Sequence, residues 1–161
     1  AACGMKIMAH DPYLPKSEAE QYGVTMVSLH ELLRESDFVS LHTPLTRETR
    51  HLLGETELRE MKPTAHLINT GRGPLVDEPA LLKALKEGWI AGAALDVFET
   101  EPLPASSPLL RYDNVLLTPH TGGLSNETQE LLRRTIAKAM ADILLGNWPE
   151  GPELHLSLIH I

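Results

Sequence analysis

Residues 65–102, AHLINTGRGPLVDEPALLKALKEGWIAGAALDVFETEP, decide the fold. AHLINTG is an apolar run that ends on Asn69 and Thr70, and AGAALDVF is a second run ending at Asp96. Between them, Asp77 is a good N-cap for EPALLKALKEG. Pro79 falls in the first turn, Leu81, Leu82 and Leu85 make a buried stripe, and Gly88 stops the helix. Strand, helix, strand within one stretch is the repeating unit of a parallel sheet.

The same alternation runs outward on both sides. MKIMAHD reads as a strand ending at Asp11, DFVSLHTP as one ending at Pro44, and NVLLTPH as a fifth strand. The runs are mostly continuous, as expected for strands buried on both faces. Ser28 and Glu31 form a predicted capping box ahead of another helix. From Ser125 to Leu145, the residues Leu132, Ile136, Ala139, Met140 and Ile143 recur at helical spacing, and Gly146 follows. The expected class is α/β, a Rossmann-like doubly wound parallel sheet without its first strand and glycine-rich turn. The domain reading is 1–123 for a partial nucleotide-binding domain, 124–150 for a C-terminal helix and 151–161 for a tail. The opening AACGMKIMAHD reads as the tail of a helix running straight into a strand. Leu156 to Ile161, LSLIHI, match the translated end of a sequencing-library transposon and are expected to be an assembly artefact.

Composition narrows the function classes. The 161 residues are 42% hydrophobic and 22% charged, with a formal net charge of −8, ordinary for a globular protein. No lysine/arginine cluster breaks that acidity, so a phosphate-backbone partner is not expected. No apolar run approaches the roughly 18 residues of a membrane span, so no membrane partner is expected either. Cys3 is the only cysteine, which argues for a reducing, cytoplasmic setting. The eight histidines include no HxxxH pair, and no metal site is expected.

In open α/β sheets ligands sit beyond the carboxyl ends of the strands, so the polar residues there are the ones to weigh. Asp11 can accept hydrogen bonds from both hydroxyls of an adenosine ribose, or is a turn aspartate before Pro12. No arginine follows directly, which favours NAD over NADP. Pro44 forces Thr43 extended and lets the chain pass close to a flat ligand, or simply ends a strand. Arg72 lies between Gly71 and Gly73, which remove side chains that would crowd it; its guanidinium can face a carboxylate bidentately, or it is a surface arginine. Asp96 closes an apolar strand, where an unpaired carboxylate is costly unless it serves a ligand or partner. Glu101, held by Pro102, reads alone as a solvated acid. His120, in LLTPHTGG, has two glycines beside it and the side chain best suited to exchange a proton near neutral pH. A carboxylate such as Glu101 would orient that ring and raise its basicity.

HDPY, LHTPLTRETRHLL, the decisive stretch itself and NVLLTPHTGG, in this order from about Met5 to Pro149, resemble the D-isomer-specific 2-hydroxyacid dehydrogenase family. That family includes phosphoglycerate dehydrogenases and glyoxylate/hydroxypyruvate reductases. The resemblance implies an NAD-dependent enzyme that transfers a hydride between nicotinamide and C2 of a 2-hydroxy or 2-oxo acid. It implies Arg72 as the carboxylate anchor, His120 as acid/base and Glu101 as its partner. Asp11 would hold the ribose. Thr43, Pro44, Thr70, Gly71 and Asp96 would line the nicotinamide side, where Arg72 and His120 would also meet the cofactor, with Gly122 and Gly123 beside it. It also implies a homodimer, and a final helix that packs back on a substrate domain. No GxGxxG turn occurs in the sequence, so these residues alone are expected to bind NAD weakly and to be inactive. The alternative is an NAD-sensing corepressor of the same fold family, which can keep the Arg/Glu/His set.

Overall fold

The computed structural model describes residues 4–147. The chain divides into two compact units, the first ending at His120 and the second starting at Thr121. The tail from residue 148, including Leu156 to Ile161, lies outside the described residues.

In the first unit, β1 (Ile7–Ala9), α1 (Lys16–Glu20), β2 (Val24–Met26), α2 (Leu29–Glu35) and β3 (Phe38–Leu41) follow in order. They are succeeded by α3 (Glu55–Glu60), β4 (His66–Asn69), α4 (Glu78–Glu87), β5 (Gly92–Leu95) and β6 (Val115–Leu117). Every pairing is parallel. β3, β4, β5 and β6 lie side by side in that order, whereas β1 and β2 form a two-stranded sheet of their own. The parallel α/β class is as expected. The division into two sheets, and the strand β2 itself, are additions to the sequence reading.

α4 follows its predicted boundaries. Asp77 accepts a hydrogen bond from the Ala80 N–H at 3.1 Å, and Gly88 ends the helix with φ +71°. Its buried face is Ala80, Leu81, Ala84 and Leu85, with Leu82 only partly covered. At α2, Ser28 Oγ accepts from the Glu31 N–H at 3.2 Å. A glutamate reaching back to an N-cap amide is seen at α3, where Glu57 Oε2 accepts from the Gly54 N–H. Leu33, Leu53, Leu58, Leu67, Leu75, Leu81, Ile90 and Leu109 are fully buried between the helices and one face of the four-stranded sheet. Burying each is worth about 1.5–3 kcal/mol.

The opposite face corrects the expectation of strands buried on both sides. Burial alternates along β3 and β4, and Phe38 is 61% exposed and Leu116 66%. Phe38 stacks on His66 with ring centres 5.6 Å apart. The continuous apolar sequence therefore records two apolar faces, of which only one is covered among the described residues.

The second unit holds α5 (Asn126–Leu144), capped by Ser125 Oγ on the Thr128 N–H at 3.0 Å. None of its residues is buried, and Leu132, Ile136, Met140 and Ile143 are 40–60% exposed.

Candidate active site

β4 ends at Asn69, and the chain turns sharply to present Arg72. The turn is built by Asn69, which is 1% exposed. Its Oδ1 accepts from the Gly71 N–H at 3.1 Å, and its Nδ2 donates to the Arg72 carbonyl at 2.9 Å. Asn69's own carbonyl accepts from the Asp96 N–H at 3.0 Å, tying the end of β4 to the end of β5. One buried amide thus uses both ends of its side chain on the arginine turn.

Gly73, the second glycine flanking Arg72, does not serve to uncover it, which corrects the sequence reading. A Cβ at Gly73 would lie 1.8 Å from the Phe98 carbonyl oxygen, and one at Gly71 would meet Leu75 and the Leu41 carbonyl. Gly73 is glycine so that two backbones can touch: the arginine turn rests on the loop that follows β5. Arg72 is exposed, and one of its guanidinium N–H groups donates to the Gly71 carbonyl at 2.7 Å.

The loop after β5 carries Glu101, followed by a cis bond to Pro102. Glu101 Oε1 accepts from the Phe98 N–H at 3.0 Å, and Oε2 contacts His120 Nδ1 at 2.7 Å. A carboxylate can only accept, so Nδ1 carries the proton in this pair. In the neutral ring that tautomer leaves Nε2 as the acceptor. The His120 hydrogen bond, more than any other contact, holds the Glu101 carboxyl below its ordinary value of 4.5. The Phe98 N–H and the nearby charges of His120 and Arg72 add to this, against a small opposing effect of burial. Arg72 therefore meets the pair through its field rather than by contact.

His120 follows β6 with φ +55°, a left-handed backbone uncommon for a residue with a side chain. Its N–H donates to the Thr118 carbonyl at 3.0 Å, so the turn is fixed at both backbone and ring. Such conformations persist where the surroundings over-determine them, and they cluster at functional sites.

Beside the pair lies a pocket of about 500 Å³ lined by Phe98, Leu103, Leu117, Pro119 and Thr118 together with Glu101, Pro102 and His120. Asp96, 6% exposed, is not left unpaired: Thr118 donates its hydroxyl hydrogen bond to Asp96 Oδ1. Thr118 and Asn69 were missed by the sequence reading; the only signal for either was a polar residue closing an apolar strand.

The remaining expected residues are spread around the strand ends. Asp11 lies beyond β1 on the two-stranded sheet, its Oδ1 accepting from the Tyr13 and Leu14 N–H groups at 2.8 and 3.2 Å. Both readings of Asp11 thus survive, since the turn fixes a carboxylate that remains exposed. Thr43 and Pro44 follow β3, and the Pro44 carbonyl accepts from Thr49 Oγ1 at 2.7 Å. Thr70 is exposed at the end of β4. Gly122 and Gly123 belong to the second unit, in the turn that precedes α5.

These features define a Rossmann-like α/β protein in which a carboxylate-bound imidazole stands beside an apolar pocket and one strand end presents an exposed arginine. The chain belongs to the D-isomer specific 2-hydroxyacid dehydrogenase family, whose NAD-binding domain model matches residues 1–122. It is 51% identical over 146 residues to a glyoxylate reductase of Korarchaeum cryptofilum, an alignment covering 91% of this chain and 44% of that protein. It is 47% identical over 151 residues to a D-3-phosphoglycerate dehydrogenase of Methanocaldococcus jannaschii, covering 93% and 29%. The NAD-complexed D-isomer specific 2-hydroxyacid dehydrogenase of Lactobacillus delbrueckii ssp. bulgaricus superimposes with a TM-score of 0.81 at 34% identity, covering 92% of this chain and 48% of that one. The chain thus spans less than half the length of these relatives.

Proposed function

We propose that this chain is the cofactor-binding part of an NAD-dependent D-2-hydroxyacid dehydrogenase that interconverts a 2-hydroxy acid and its 2-oxo acid. The observation that carries the reading is the 2.7 Å contact between His120 Nδ1 and Glu101 beside an apolar pocket. The carboxylate of Asp11, already fixed by two backbone amides, suits a ribose diol. The apolar pocket suits a flat ring with a small acid against it. Thr43, Pro44, Thr70, Gly71 and Asp96 are assigned to the same cofactor. When bound, NAD supplies the acceptor or donor of a hydride at C2 of the substrate.

The chain's own residues do the rest. Arg72 binds the substrate carboxylate, for which its fork of donors is suited. In oxidation, His120 Nε2 takes the proton of the C2 hydroxyl as the carbon–oxygen double bond forms and the hydride departs. In reduction it returns that proton to the carbonyl oxygen. Glu101 fixes the ring's tautomer and compensates the charge that His120 acquires. Holding the reacting groups in one orientation supplies much of the rate.

The relatives' names, a reductase and a dehydrogenase, support this over a corepressor role. Glyoxylate, hydroxypyruvate and 3-phosphohydroxypyruvate are the first substrates to try, and we assign the complete enzyme to the cytoplasm as a homodimer. The test is NADH oxidation by the full-length enzyme against these 2-oxo acids. Turnover of at least one, abolished when the carboxylate is replaced by an amide, is expected; no turnover of any would overturn the reading.

A further inference from the structure

Away from the pocket, His51 is surrounded by acids contributed by two other segments. Its Nε2 lies 2.5 Å from Glu99 Oε1, and its Nδ1 3.9 Å from Asp77 Oδ2. Glu78 lies next to Glu99: burial raises its carboxyl above the ordinary value, and the charge of Glu99 adds to this, while the Glu99 backbone N–H opposes it.

The backbone around His51 is tied to the arginine turn. The His51 N–H donates to the Pro74 carbonyl at 2.8 Å, and the Leu53 N–H to the Leu75 carbonyl at 3.1 Å. The Asp77 N–H returns a bond to Leu53, and Leu53 and Val76 form a parallel bridge. Residues 51–53 therefore act as a short strand alongside 74–77, immediately after Arg72. The His51 side chain reaches from this strand to Glu99, on the loop that carries Glu101. It spans the same junction at which Gly73 rests on Phe98 and Glu99. His51 adopts φ +53°, so its backbone is held in a conformation that asparagine tolerates better than histidine.

We propose that His51 is a positioning residue whose ring clasps the Glu99 loop onto the arginine turn, fixing the spacing between Arg72 and the Glu101–His120 pair. The proposal rests on the dehydrogenase reading, because the spacing matters only if Arg72 and His120 hold one substrate between them. Small displacements of groups that orient a substrate are costly even when they originate away from the reacting atoms.

The test uses the full-length enzyme, with oxo-acid kinetics and NADH affinity measured separately. His51→Asn keeps a residue suited to the left-handed turn but cannot reach Glu99, and Glu99→Ala removes the other half of the clasp. Each is expected to lower kcat/KM for the oxo acid about 10- to 100-fold, mainly through KM, with NADH affinity unchanged. The double variant is expected to be no worse than either single one. His51→Gln, whose amide can still donate toward Glu99, is expected to recover part of the loss. Equal loss of NADH affinity and oxo-acid affinity would overturn the clasp in favour of a purely structural role. If His120→Ala abolishes turnover while His51→Asn and Glu99→Ala both leave kcat/KM intact, the clasp alone falls. If His120→Ala is silent, the dehydrogenase reading falls with it.

Discussion

His120 has a committed ring nitrogen and an uncommon backbone, and both can be probed one residue at a time. In the full-length enzyme, His120→Ala is expected to lower kcat by about 10²- to 10⁴-fold, the usual contribution of a positioned acid/base. Steady-state NADH oxidation measures it. Arg72→Ala is expected to raise KM for the oxo acid, with NADH affinity retained. Glu101 also leaves a signature in stability. Its folded pKa lies below the ordinary 4.5, so the contribution of its bonds is fully present above that value and is lost as pH falls through the lower one. Urea titrations from neutral to acid pH are expected to show a shallower loss of stability in Glu101→Gln than in the parent. The Glu101–His120 contact was legible because an acid and an imidazole each follow an apolar run. Asn69 was not, since nothing in its spacing says that both ends of its amide turn back onto the next three residues.

Among the elements, the contact between the arginine turn and the loop after β5 matters most. Gly73→Ala places a methyl group within 2 Å of the Phe98 carbonyl, which nothing but backbone movement can relieve. It is expected to destabilise the chain by about 1–3 kcal/mol or more, as overpacking does, read from the urea midpoint. Asn69→Ala is expected to cost about 1–3 kcal/mol through the bonds it leaves unmade. α4 was readable almost to the residue because its cap, proline, stripe and terminal glycine all agree. β2 and α1 were not, being three and five residues long, too short for a period to register. Gly73 was misread for a different reason. A glycine required by a contact from twenty-five residues away looks, in sequence, like one that clears space for its neighbour.

For the whole molecule, the parallel α/β class followed from alternation alone, but the exposure of one sheet face could not, because an apolar run does not say which of its faces is covered. The sequence holds no GxGxxG turn to seat a pyrophosphate on a helix N-terminus. Calorimetric titration of the 161-residue chain with NAD is accordingly expected to give an affinity weaker than micromolar. The central claim is that side chains from separate strand ends work as one catalytic unit, and a double-mutant cycle in kcat on the full-length enzyme tests it most directly. If Glu101 acts only through His120, Glu101→Gln lowers kcat in the parent and changes nothing once His120 is alanine. Losses that multiply in the double variant would mean that the two residues act independently, and the assignment of Glu101 as the partner of His120 would be wrong.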